Sequence, residues 1–472
     1  MDSIPAPETQ PSECDACVAY ECQVSFPAEF QGKYFAWNSY KQTDGALCIL
    51  HYRDATKDAA KCAAAVERKI QAADFNFRGV LFCGDFQFPV QIDNANFSRA
   101  RFTGKAIFSV ATFSGAANFI GAKFSGEANF FTATFSGEAR FSKAKFSDNA
   151  NFSGATFSGK ANFFRATFNG GAYFDGATFN GAADFLSATF SGPANLVRAT
   201  FNAAAYFFSA TFSAAADFRG ATFKEMALFA DLAKEKNKQG ERTSDKVDLD
   251  FSGVAFDQPE KILFRNVNLS VASFLHADVR DVRFTTNVNW LPGLRDVREA
   301  DKEDYPHVEV LCRQLRQNYE EGNNYPDAGL FYQGEMEMRR KQMPAWRRDL
   351  FSLPALYHAS SGYGQDPVRA FWMTVLLMLL FTLCHTWAGL KLESGVQGHF
   401  PNNISWAVKS VGEWFSNFMY GGLHTLQVLT FSRNRTFAPL NWKGELLIVL
   451  QTIILPLQIA LFALAVRRKF QR

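Results

Sequence analysis

Between Ala95 and Phe229, alanine returns at alternating steps of five and six residues, and a large apolar residue follows two positions after each alanine. The pairs run Ala95/Phe97, Ala100/Phe102, Ala106/Phe108, Ala111/Phe113 and on to Ala227/Phe229, 25 in all, with Leu196 the one replacement for Phe. The true period is therefore eleven residues. Asn or Asp (Asn96, Asn118, Asn129, Asp184, Asp217) tends to alternate with Thr (Thr112, Thr134, Thr156) in the gap. A fixed period of this kind marks a solenoid.

Geometry narrows the choice of solenoid. On an α-helix, steps of five and eleven residues rotate by about 140° and about 20°, which leaves the Phe set in two stripes with no single buried face. Eleven-residue periods occur in right-handed coiled coils, but the Gly, Ser, Thr and Asn between the pairs oppose a long helix. A flat strand sends residues five apart to opposite faces. A chain that turns a corner after each short segment satisfies the pattern. Every Ala and Phe then points to one axis, and successive coils share backbone hydrogen bonds.

The phrase Ala-(Asn/Thr)-Phe-x-x, as in Ala95-Asn96-Phe97-Ser98-Arg99 and Ala155-Thr156-Phe157-Ser158-Gly159, resembles the pentapeptide-repeat family. The resemblance implies a β-solenoid of the right-handed quadrilateral β-helix type, with the middle apolar residue inside. The departure is an extra residue in every second unit, often the one after Ser-Gly (Glu127, Glu138, Lys160). It is expected to bulge at a corner, so that two eleven-residue units make a coil of 2 × 11 = 22 residues. At about 4.8 Å per coil, this stretch makes roughly six coils and a rod about 30 Å long.

The flanks extend the plan. Residues 1–13 are polar and proline-bearing, unlike a secretory signal. A cysteine-rich head follows within residues 1–72. Cys14-x-x-Cys17 and Cys48-x-x-His51 are close pairs roughly 30 residues apart, the layout of a tetrahedral structural zinc site, with Cys22 an alternative ligand. Metal would add folding energy to a segment with little apolar content. The competing reading is a set of reduced, partly buried cysteines with a capping histidine. Residues 55–72 read as a short helix leading into the coil, and Asp74–Phe77 with Asp85-Phe86 as a ragged first turn. The β-helix is assigned to 73–290, with a charged insertion near 231–247. After the insertion the repeat resumes at five-residue steps: Phe264, Leu269, Phe274, Val279, Phe284.

From Tyr305 the period becomes helical. Residues 307–321 and 326–341 form a helical hairpin within 300–345, broken at Gly322, with Pro326 suited to a first turn. The remaining 346–472 read as a membrane domain. Its apolar stretches, 368–390 and 446–466, are long enough to cross a bilayer. Basic residues lie before the first (Arg347, Arg348) and after the second (Arg467, Arg468, Lys469), which predicts both termini in the cytoplasm. The expectation is a multi-pass protein of the cell (inner) membrane; two buried helices of a soluble domain are the competing reading. Between the spans, 404–432 is aromatic-rich but carries Lys409, Glu413 and His424. It reads either as a re-entrant pore segment or as an interfacial amphipathic helix. The order of elements resembles two-span ion channels, although no Thr-Val-Gly-Tyr-Gly run follows, so potassium selectivity does not carry over.

Residues 48–472 together resemble bacterial pentapeptide-repeat proteins with a C-terminal two-helix, ion-channel-like membrane region. The likeness rests on Cys48-Ile49-Leu50-His51, Tyr319-Glu320-Glu321, the Gly334-Glu335-Met336-Glu337-Met338-Arg339-Arg340 segment and Ala465-Val466-Arg467-Arg468. No nucleophile elbow, phosphate loop or His-Glu metal motif is present, so no enzyme is expected. Some members of the family present an acidic rod to topoisomerases. Here residues 95–225 hold 12 Lys plus Arg against 7 Asp plus Glu, a balance of +5, which is the wrong sign for a nucleic-acid mimic. The expected function is an oligomeric membrane channel, or channel-like protein, with a cytoplasmic regulatory or assembly rod. It is expected to be a homo-oligomer, a tetramer by analogy, because two helices do not enclose a conduit. Gly421, Gly422, Thr425, Gln427 and Thr430, with Gln451 and Gln458, are the candidate conduit residues. The alternative is a membrane-anchored scaffold whose rod binds a protein partner. Beyond zinc no cofactor is expected, and no nucleic acid.

Overall fold

The computed structural model describes residues 35–38, 43–46, 50–51, 59–232, 248–393, 401–432 and 435–470, apart from 286, 292, 346–347, 349–351 and 407–409. Two compact units divide the chain, Met1–Ala300 and Asp301–Arg472.

In the first unit, helix α1 (Ala59–Gln71) leads into a solenoid of about nine turns. Its strands, nearly all two residues long, stack into four parallel sheets of seven, eight, eight and eight strands. Lys123 lies beside Lys145, Ala128 beside Ala150, Thr134 beside Thr156 and Ala139 beside Ala161, an offset of 22 on every side. The coil tightens to 20 at both ends, where Leu81 pairs with Arg101 and Leu263 with Arg283. Across the charged insertion the ladders continue, Ala216 pairing with Leu249 and Ala227 with Ile262.

Both residues of all 25 pairs are at most 2% exposed. Alanine lets the chain turn close to the axis, and Phe fills what remains. Rings one coil apart stack at the pitch of the strands: Phe102–Phe124 and Phe124–Phe146 have centroids 4.8 Å apart and planes within 3°. Rings of neighbouring columns meet edge-on, as Phe119 and Phe130 do at 5.4 Å and 88°, the arrangement ring quadrupoles prefer. Leu196 sits in the column between Phe174 and Phe218, fully buried.

The sequence alternation between Asn and Thr reflects two kinds of corner. At tight corners the Asn or Asp side chain accepts from the amide two residues on: Asn118 from Ile120 (3.1 Å), Asp184 from Leu186 (3.1 Å), Asn195 from Val197 (3.0 Å). This turn puts the next residue in the left-handed region. Twelve positions spaced by eleven, from Arg99 to Gly220, have φ between +53° and +66°, and only four of them are Gly. Wide corners hold the extra residue after Ser-Gly. Their glycines stack on one another, and a Cβ at Gly137 would lie 2.7 Å from the Gly115 carbonyl.

Both ends are closed. Leu81 donates its amide to the Leu50 carbonyl, and Lys69 of α1 is buried in an ion pair with Asp74. At the far end helix α2 (Arg295–Glu299) places buried Asp296 to accept from the Ser273 hydroxyl (2.6 Å) and the Phe274 amide (2.9 Å). Burial holds that carboxyl above the usual carboxylate range.

In the second unit, α3 (Tyr305–Glu321) and α4 (Tyr325–Lys341) form an antiparallel hairpin, the latter capped by the Asn324 side chain. Buried Glu335 is shared by Arg313 (3.2 Å), Arg316 (3.4 Å) and Arg339 (3.6 Å). Then come α5 (Leu353–Ser361), α6 (Pro367–Ala388), α7 (Val411–Leu429) and α8 (Trp442–Phe470). A three-stranded antiparallel sheet, with Leu390–Leu392 between Asn403–Ile404 and Phe437–Pro439, lies between the helices in sequence. Over Val411–Leu429, the segment read as re-entrant or interfacial is one unbroken 19-residue helix, begun by a Ser410 cap and packed against α6 and α8.

Candidate functional site

Among the described residues, α6 and α8 are the two helices long and apolar enough to cross a membrane. Each nevertheless carries polar residues, and the packing of α6, α7 and α8 brings these together. His385 and Thr382 on α6, His424 and Thr425 on α7, and Gln451 on α8 are all at most 5% exposed. Their bonds cross the helices. His385 Nε2 lies 2.7 Å from Gln451 Oε1, and the Gln451 amide donates to the Thr425 carbonyl at 2.6 Å. Thr382 Oγ1 reaches Thr425 Oγ1 at 3.3 Å. Since the Gln oxygen accepts, His385 carries its proton on Nε2, and its Nδ1 presents a lone pair.

The His385 and His424 rings meet edge-on with centroids 4.8 Å apart. Among the described residues, His385 Nδ1 and both His424 ring nitrogens find no hydrogen-bond partner of good geometry; the Phe437 backbone approaches the His424 ring. Ring nitrogens without a well-formed partner are costly in a dry interior, and they are where a proton or a borderline metal ion finds a ligand. Gly421 permits the approach. A Cβ there would lie 2.3 Å from Thr386 Oγ1 and 3.1 Å from the Thr382 carbonyl, so a small residue sets the α6–α7 distance.

The sequence-predicted conduit residues fall in three places. Gly421, Thr425, Gln451 and Gln458 are buried between helices of one chain, Gln458 donating to the Ser360 and Ala370 carbonyls at 3.2 and 3.1 Å. Gln427 clamps Thr436 through its amide (2.8 Å) and its carbonyl (2.9 Å). Gly422 is half-buried, and Thr430 is exposed with its hydroxyl returned to the Leu426 carbonyl at 3.0 Å. His385 was missed; a lone His within an apolar stretch was the available signal.

Cys14, Cys17, Cys22 and Cys48 of the metal proposal lie outside the described residues. His51 is buried, with Nε2 3.1 Å from the Arg78 carbonyl oxygen. Among the described residues no group of three or more His, Cys, Asp and Glu is placed to hold a metal ion.

No curated protein and no solved structure matches the chain. Residues 97–144, 141–189 and 185–231 match the family described as pentapeptide repeats (9 copies). The matched residues are the regular coils of the rod, so the stretch 97–231 is built of pentapeptide repeats; in the second unit, among the described residues, two helices are apolar and long enough to span a membrane.

Proposed function

We propose that the chain is a membrane-anchored scaffold that displays its pentapeptide-repeat rod to a protein partner. One observation carries the anchor. The helices α6, α7 and α8 turn their polar side chains toward one another, while Trp372, Phe415, Ile453 and Leu457 face outward at 60–63% exposure. Polar inside and apolar outside is the reverse of a soluble bundle, and it suits hydrocarbon as the solvent. α7 belongs to this anchor, and its length of 19 residues, about 28 Å, is close to the thickness of the bilayer core. The rod, rigid and closed at both ends, offers four flat outer faces on which partner contacts can be fixed. Flotation of the full chain in a density gradient with bilayer vesicles, resisting carbonate extraction, is the test. A chain recovered in the soluble fraction would refute the anchor.

A second reading, a homo-oligomeric channel, is favoured by the fully buried, edge-on ring pair of His385 and His424 at the centre of the helical packing. Planar-bilayer recordings on the purified chain and on His424→Ala test it; silence under all ionic conditions removes it. We also propose a structural zinc on Cys14, Cys17, Cys48 and His51, tested by metal content.

A further inference from the structure

We infer that one flat face of the rod is a docking surface for anionic phospholipid. In the sheet whose strands include Arg101-Phe102, Lys123-Phe124 and Lys145-Phe146, the three outward positions are all cationic and lie in direct parallel register. The tight corner bordering that sheet repeats with the same offset of 22 and adds Arg99, Lys143 and Arg165. Six cations thus stand on adjoining columns across four coils, at a strand spacing of about 4.8 Å. All but Arg101 are exposed. Carboxylates near this face, Asp85, Glu127 and Asp148, stand at its opposite, wide corner, where Asp85 accepts from the Lys105 amide at 2.7 Å and Glu127 pairs with the Lys105 side chain at 3.3 Å. Like charges aligned across a ladder repel, so the array lowers its energy when a surface of opposite charge covers it.

Two further features favour lipid over nucleic acid as that surface. The cationic corner also carries Ile120, 37% exposed, and Phe164, over which Arg165 lies at 5.0 Å. Apolar side chains interleaved with cations on a flat ribbon match a headgroup layer. The rod is also tied by its own chain to the helices read above as a membrane anchor, which raises its effective concentration at a bilayer. The inference rests on that reading.

The experiment uses the full chain in nanodiscs of phosphatidylcholine alone or with about one third phosphatidylglycerol, footprinted by lysine acetylation and mass spectrometry. Lys123, Lys143 and Lys145 are expected to react at least about threefold more slowly with the anionic lipid. Lys160 and Lys224 should be unchanged. The protection should vanish at about 0.5 M NaCl, where screening shortens to a few Å, and in the R99Q/R101Q/R165Q variant. Equal rates in the two nanodiscs would overturn the inference. So would protection by a short DNA duplex in zwitterionic nanodiscs without protection by phosphatidylglycerol, which would make the face a nucleic-acid surface. Failure of the chain to co-elute with nanodiscs is a separate outcome, and it overturns the anchor on which the inference rests.

Discussion

Replacing Phe141 by Ala tests whether the stacked rings hold the rod together. Phe141 is fully buried in mid-rod. It stacks on Phe119 at 4.8 Å and on Phe163 at 5.0 Å, and meets Phe130 and Phe152 edge-on at 5.5 and 5.3 Å. Emptying such a site costs about 3–5 kcal/mol in transfer and cavity energy. Two lost stacks account for about 1–3 kcal/mol of this, which Phe141→Leu isolates, since Leu196 shows that the lattice accepts the smaller side chain. Phe284, near the last turn, stacks on Phe264 at 5.3 Å and should cost less when truncated. The assay is amide hydrogen exchange of the full chain in detergent, read on peptides of successive coils. A loss of about 4 kcal/mol corresponds to nearly a thousandfold faster exchange through local opening. Because each coil touches only its neighbours, the effect should decay from the coils of Phe119 and Phe163 toward that of Phe229. Acceleration of less than about tenfold beside residue 141 would show that the ring columns do not stabilise the rod. Uniform acceleration along the whole rod would show that coils do not act pairwise.

Four other outcomes follow from the same geometry. Val110→Gly relieves a β-branched residue at φ +55° and should raise rod stability by about 0.5–1 kcal/mol in the same exchange assay; a loss would mean that the corner is not strained. Gln451→Leu removes the bonds to His385 and Thr425 and should cost about 1–2 kcal/mol in detergent unfolding, with no cost counting against the polar cluster as a packing determinant. Burial holds His358 below its ordinary value against the pull of Glu337, and Glu337, despite its own burial, is held low by the Arg340 guanidinium. Both favour the unfolded chain as pH falls, His358 below about 6.5 and Glu337 below about 4.5; His358→Gln should flatten the slope of stability between pH 5 and pH 7, and an unchanged slope would refute the assignment. Mass-spectrometric metal analysis of the full chain should find one zinc per chain, lost in C14S/C17S, and its absence would remove the zinc proposal.

The rod was legible because its message is local and redundant. Each Ala and Phe has the same job, so the sequence alone specifies the interior, the coil length and the corner at Ser-Gly. The corner geometry was harder: Asn129 and Thr134 look like interchangeable polar fillers until Asn129 is seen turning back to the Phe131 amide. The helical unit was less legible for a different reason. Gln451 and His385 are 66 residues apart, and whether a polar side chain on an apolar helix faces a neighbour, a conduit or lipid depends on the rotation of the helix. Hydropathy does not encode that rotation. Thr425, Gln451 and Gln458 therefore stand out in the sequence as polar residues in apolar surroundings, while their engagement with groups of the same chain is visible only in the packing.

Along the regular coils the offset of 22 turns the outside of the rod into a coordinate grid, in which a side chain sits beside those 22 places before and after it. A binding epitope on such a surface is scattered through the primary structure at fixed intervals, and scanning for contiguous motifs will overlook it. Whole turns can be added or deleted without re-aiming the remaining side chains, so length and surface chemistry are free to diverge independently.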